Sequence, residues 1–332
     1  MLWLKACLMS IACPTAALLR ADDAIELAPR NEPSAVFGDS EATFTYAVKS
    51  EGRFNGALTW RHSAGQRTIA RGEIPVPDTG EITIQLKIPP VREAVAVETT
   101  LTVALQPRGG GEAVASHSRR VWIFPRDPFA GRMRWLESLE IRLFDPKGAT
   151  HDAFNALSIP MQEVRNLAAM QQVESGVVII GEGVSWRDYR ALGDALPVVA
   201  AKGVSVLCLA PADGVFVLPG TREAEGPAPR SISLCREDLI ARYDKRLDVA
   251  AWNSRGELIA RRMDITSDRR LVTAQVAADE TGWPWLELEY SSQGKWIVCG
   301  FGVIEHWEAS PNARFFLAAL LEQFSHRRGD NK

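Results

Sequence analysis

Two short fragments carry residue types able to do covalent chemistry. In "GVSVLCLAPADG" an apolar run ends at Cys208, and in "EHWE" His306 and Glu308 stand two positions apart. A cysteine, a histidine and a carboxylate are the parts of an acyl-transfer site: a thiolate nucleophile, its general base, and the group that orients the base. That chemistry needs an accessible sulfur of depressed pKa and a histidine within hydrogen-bond reach. The surroundings of Cys208 point to another role. Val206, Leu207, Cys208 and Leu209 are continuously apolar, and a cysteine in such a run acts as a small inert hydrophobe. Cys299 in "WIVCG" reads the same way, while Cys235 lies in a charged stretch without a partner signature. The expectation is an inert Cys208, with a Cys208/His306/Glu308 hydrolase or amidotransferase as the alternative.

Five further residues are ligand-binding candidates. Glu182 in "IIGEGVSW" and His151 after "DPKGAT" each follow an apolar strand, where open α/β sheets bind ligands. A connective-loop acid explains Glu182 equally, and Asp152 beside His151 suits the first turn of a helix. Trp283 and Trp285 in "ETGWPWLE", with Trp307, offer flat faces for a sugar or a protein anchor if exposed, and core packing if buried. Neither CxxC nor HExxH occurs, and the five histidines (62, 117, 151, 306, 326) are dispersed, so no metal or cofactor is expected. The glycines of "GEG" lack the Lys-Ser/Thr of a phosphate loop.

The elements that must position these residues fall into two halves. Residues 30–124 alternate apolar and polar with period two, most clearly in "EITIQLKI", where Ile82, Ile84, Leu86 and Ile88 face one way. About six or seven short strands with turn signals between them predict an immunoglobulin-like β-sandwich over 30–126. The prolines of "FPRDPF" mark a boundary. Beyond it, "LEIRLF", "IPMQEV", "GVVIIGEG" and "VSVLCLA" read as strands, and "SWRDYRALGDALPVVAAKG" as a helix capped by Ser185. Strand–helix alternation of this kind predicts a doubly wound α/β domain over 132–326. Residues 211–270 are less regular. "WLELEYSSQGKWIVCGFGV" reads as a hairpin about Gly294, and "SPNARFFLAALLEQF" as a final helix with Phe316, Leu317, Leu320, Leu321 and Phe324 on its apolar stripe.

At 332 residues, with 38 basic and 41 acidic side chains, the chain is long enough for two cores. The opening "MLWLKACLMSIACPTAALLRADD" has the basic, apolar and small-residue parts of a secretory signal over residues 1–21. The expected location is the periplasm or the extracellular space, with an uncleaved N-terminal anchor as the one route to a membrane. Removing residues 1–21 takes away Lys5 and Arg20, leaving 36 basic against 41 acidic groups. That mild acid excess is no field for nucleic acid, and the arginine pairs are scattered. Three cysteines would remain, too sparse for a disulfide framework. The last residues, 327–332, read as a polar tail.

"GVVIIGEG", then "VSVLCLAPADG", then "IVCGFGVIEHWEASPNARFFLAALLEQF" together resemble the class I glutamine amidotransferase-like, flavodoxin-like fold over residues 134–326. The style is that of the non-catalytic versions that accompany secreted glycosidases alongside β-sandwiches. In active members the nucleophile sits in a G-x-C-x-G elbow; here Val206 and Ala210 stand at the glycine positions. Pro211 cannot donate an N–H beside it, and Trp307 replaces the proline of the family's His-Pro-Glu run. The resemblance implies an exported accessory or interaction protein without glutaminase activity, linked to carbohydrate processing outside the cell. Its partner would be a protein or a glycan, and its oligomeric state is open. A structural envelope protein is the second alternative.

Overall fold

Period-two patterning becomes two packed sheets. The computed structural model describes residues 25–50, 52–221, 223–247, 252, 260–277 and 281–326. Both the expected signal segment, 1–21, and the polar tail, 327–332, lie outside them. The N-terminal half contains β1 (Glu26–Asn31), β2 (Ala35–Phe37), β3 (Ser40–Lys49), β4 (Gly56–Ala64), β5 (Arg67–Pro75), β6 (Glu81–Ile88), β7 (Val97–Pro107) and β8 (Ala115–Phe124). They form a three-stranded sheet, β1-β3-β6, and a five-stranded sheet, β2-β8-β7-β4-β5. Along β6 every second residue is buried, as the alternation requires. Ile82, Ile84, Leu86 and Ile88 meet Leu58, Leu101, Val103 and Leu105 from the other sheet in one core.

The C-terminal half is a mixed α/β structure. Its elements are α1 (Met133–Ser138), β9 (Ile141–Phe144), α2 (Ala149–Ala156), β10 (Gln162–Glu163), α3 (Leu167–Gln171), β11 (Val177–Ile180), α4 (Leu192–Ala201) and β12 (Ser205–Cys208). There follow β13 (Val215–Val217), β14 (Ser231–Cys235), α5 (Leu239–Tyr243), β15 (Arg262–Asp268), β16 (Leu271–Ala277), β17 (Trp285–Glu289), β18 (Lys295–Cys299) and α6 (Pro311–His326). The main sheet has the order β10-β9-β11-β12-β18-β17-β14. Neighbours from β10 through β18 run parallel, and the expected hairpin adds β17 antiparallel, followed by β14. Helices α1, α2, α5 and α6 contribute to the core on one face, and α3 and α4 to the other. Because both faces are covered, β11 is buried at all four positions, which is why its sequence is a continuous apolar run.

Two sequence expectations need correction. The helix expected from Ser185 begins only at Leu192. Ser185 instead caps a turn, its Oγ accepting from Asp188 N at 3.1 Å and donating to Asp213 Oδ1 at 2.6 Å, which ties residues 185–191 to the loop after β12. The stretch 211–270, read as less regular, supplies β13 and β15 to a second small sheet that β16 completes, in the order β13-β16-β15. Phe216, Met263 and Ala274 bring it onto the same core as α4.

The halves meet through buried groups. Phe124 lies 4.5 Å from Phe315 between ring centroids. Arg314, buried in α6, donates from Nε to Trp307 O (2.6 Å) and from Nη1 to Arg126 O (2.8 Å), with its guanidinium 5.0 Å over the Phe37 ring.

Candidate functional site

The carboxyl edge of the parallel strands is where this topology leaves chemistry-bearing groups exposed. The strand order reverses around β9, which has β10 on one side and β11 on the other, and such a switch point opens a crevice. The β9–α2 turn supplies Asp145 and Lys147, with Gly148 at φ 82 as the N-cap of α2, a conformation that favours glycine. Asp145 Oδ2 accepts from His151 N at 2.9 Å and so occupies part of the helix N-terminus. Gly181, after β11, is packed so closely that a Cβ there would stand 2.6 Å from the Asp145 carboxyl carbon.

Glu182 is the centre of this edge. Its backbone N donates to Thr150 Oγ1 at 2.9 Å, joining the β11 turn to α2. Its carboxylate accepts from Ile304 N at 2.7 Å and Glu305 N at 2.8 Å. Burial outweighs those two donors and raises its pKa to about 7, with Glu305 adding in the same direction. It borders a cavity of about 360 Å³ that Lys147, Arg261 and Glu305 also line. A second hollow of about 370 Å³ lies beside it around Asp145, Lys147, His151, Glu163 and Arg165. There His151 places Nδ1 3.3 Å from Asp152 and Nε2 3.2 Å from Glu163. The arrangement can bind a small polar molecule that carries both charge signs.

Cys208 is elsewhere in every useful sense. It ends β12 fully buried, its Sγ 3.3 Å from Trp296 Nε1, and burial pushes the thiol up to about 12. Leu209 N, which would be the oxyanion donor after a nucleophile, is spent on Ile180 O at 3.0 Å. No helix follows β12 directly; the chain goes on to β13. His306 is 5% exposed in the loop before α6, with burial lowering its pKa. Its Nε2 has no hydrogen-bond partner among the described residues. Glu308 points outward, its side chain 73% exposed and paired with Arg314 Nη2 at 2.7 Å. The Cys208/His306/Glu308 alternative is corrected accordingly: sulfur in the sheet core, histidine in a loop, carboxylate on the surface with an arginine.

Two of the tryptophan candidates, Trp285 and Trp307, take the core-packing reading. Trp285 is fully buried between Tyr243 and Phe316, and Trp307, 3% exposed, packs on Phe154. Neither has a free face. Trp283 is half-buried, with the Arg236 guanidinium 4.1 Å above its ring. Of the candidates, the structure brings Glu182 and His151 to the same edge. Lys147, Arg261 and Arg314 escaped the sequence reading. The "DPKG" turn at a strand end was a signal for Lys147, and Arg314, three residues before Leu317 of the apolar stripe, was one for a buried arginine.

No protein-family model matches the chain, and no curated protein matches it. Among solved structures, an engineered protein matches with 12% identity over 30% of this chain and 20% of that one, at a TM-score of 0.20. A Bifidobacterium dentium β-glucuronidase complexed with coumarin-3-O-glucuronide matches with 12% identity over 56% and 44%, at 0.22. The titin domains Z1Z2 in complex with telethonin match with 10% identity over 84% and 96%, at 0.19. The chain thus spans a fifth of the first and under half of the second. Likenesses this slight carry no argument about fold or function.

Proposed function

We propose that the chain is an exported, non-catalytic accessory or interaction protein associated with carbohydrate processing outside the cell. In this reading residues 30–126 are an immunoglobulin-like sandwich and residues 132–326 an amidotransferase-like α/β domain. The observation that carries the non-catalytic part is the position of Cys208: a fully buried sulfur beside an indole N–H, followed by an amide already used in the sheet. A thiol in that setting is neither ionised near neutral pH nor reachable by a substrate. The edge around Glu182 then serves recognition.

The test is turnover of L-glutamine and of p-nitrophenyl acetate by purified protein and its Cys208→Ser variant, with iodoacetamide labelling of the native fold. Neither substrate is expected to turn over above the variant's background, and Cys208 should label only after unfolding. Turnover abolished by Cys208→Ser would sink the reading in favour of the cysteine hydrolase.

A further inference from the structure

The outer face of the five-stranded sheet carries an arrangement that local stability opposes. Arg61 on β4 and Arg71 on β5 are directly opposite each other in the antiparallel register. Like charges at such a pair are destabilising. Both side chains are exposed, and neither makes an ion pair or a side-chain hydrogen bond among the described residues. Elsewhere on the same face Arg120 is balanced by Glu98 at 3.1 Å. Two opposed arginines without an ion pair among the described residues, in a groove whose acid is Glu73, are the pattern of a surface held ready for a partner.

The surroundings define that partner. Arg61 and Arg71 line a shallow groove of about 500 Å³ with Thr59, Thr102 and Glu73. Thr102 pairs with Arg61 and with Ser118, continuing the row as hydroxyls, the two oxygens 3.3 Å apart. Gly72, between Arg71 and Glu73, leaves room for the Trp60 ring on the inner side of the sheet, where an added Cβ would stand 2.6 Å from it. Glu73, opposite Thr59, closes one end to negative charge. Within a sheet face the backbone donors and acceptors are used in the ladder. The groove lies over the face of β7, β4 and β5, so an extended peptide, which binds through its backbone, would seat along the free edge of β5 beside the groove and not in it. What remains are guanidinium forks, which match carboxylates bidentately, and hydroxyls.

The geometry points to a short acidic oligosaccharide, a uronate-bearing glycan, bound across Thr102, Arg61 and Arg71. Its carboxylates meet the two guanidinium groups and its hydroxyls meet the threonines. The chain's overall acid excess, 41 acidic against 38 basic residues, disfavours a long polyanion and leaves the arginine pair as a local attraction. This site is on the opposite half from the Glu182 edge and does not depend on the role proposed for that edge.

Isothermal titration of the full chain with trigalacturonate, at low salt, tests the assignment. Binding is expected, weakening about tenfold or more in Arg61→Ala and in Arg71→Ala, the loss typical of one charged hydrogen-bonded contact. Arg120→Ala, on the same face but paired with Glu98, should bind like the parent. Absence of binding to trigalacturonate, or binding indifferent to both arginine substitutions, overturns the proposal. Equal affinity for the neutral galactose trisaccharide does so too, since charge would then not be read. A hexaglutamate peptide that binds in an arginine-dependent way where trigalacturonate does not overturns the glycan assignment in favour of an acidic protein.

Discussion

The two halves bury their sheets to different depths, and the difference determines where each can act. In the N-terminal half two sheets share one core, so each keeps a face toward solvent, and Arg61 and Arg71 stand on such a face. In the C-terminal half the main sheet is packed on both sides, and its open ground is the carboxyl edge where Glu182 lies. One residue, Gly181, separates Ile180, fully buried at the end of β11, from Glu182 at the cavity. Cys208 pairs in register with Ile180 and shares its burial. A residue's reach in the covered sheet therefore depends on whether it falls before or after the end of its strand.

Core substitutions should break this contrast most strongly. Trp296 stacks 5.9 Å from Trp186 and packs 5.4 Å from Phe216, besides its bond to Cys208. Trp296→Ala is expected to cost about 3–5 kcal/mol in denaturant unfolding, as large aromatic truncations do. Thr102→Ala, on the open face, should stay within about 0.5 kcal/mol. A comparable loss at Thr102 would mean that this face is not open.

The junction comes next. Arg314→Ala removes the donors to the Trp307 and Arg126 carbonyls. Its expected cost is about 2–3 kcal/mol, that of buried carbonyls losing a charged donor. Calorimetry should then resolve two transitions where the parent has one. Glu308→Ala deletes the exposed partner of the same arginine and should cost under about 1 kcal/mol. Equal effects would place the weight of the junction on the ion pair and not on the carbonyl contacts.

The smallest effect is a slope. Burial raises the Glu182 carboxyl from 4.5 to about 7 in the fold. Between those values the folded chain holds a proton that the unfolded chain has released. This group's contribution therefore falls as pH rises through that window and is most favourable below it. Glu182→Gln should flatten the dependence of unfolding midpoint on pH between about pH 5 and about pH 8. An unchanged slope would show that Glu182 does not hold the proton.

Elements with a local signature were legible in the sequence. The alternation of Ile82, Ile84, Leu86 and Ile88 is the burial pattern of β6, and the stripe from Phe316 to Phe324 lies in the core as read. The hairpin about Gly294 formed because Trp285↔Cys299 through Glu289↔Lys295 keep one register around a short turn. What escaped depends on distant partners. Pairing of β13 with β16 joins Val215–Val217 to residues far along the chain, beyond the reach of any local pattern. Ser185 looked like a helix cap because its hydroxyl does cap a turn, but Asp213, from another loop, bends the chain before the helix starts. At the candidate site Glu182 and His151 were visible as strand-end residues. Lys147 and Arg261 joined them through topology, and the exposure of Trp283, Trp285 and Trp307 was a tertiary fact.

The ring of Phe124 against Phe315 has a consequence in time. The strand that carries Phe124 can complete its sheet as soon as the N-terminal half has been made, but the helix that covers its end is encoded about 190 residues later. At roughly 5–20 residues per second of synthesis, that interval is on the order of 10–40 seconds. Throughout it a nascent chain with a finished first half carries an apolar patch at Phe124 whose cover has not yet been made.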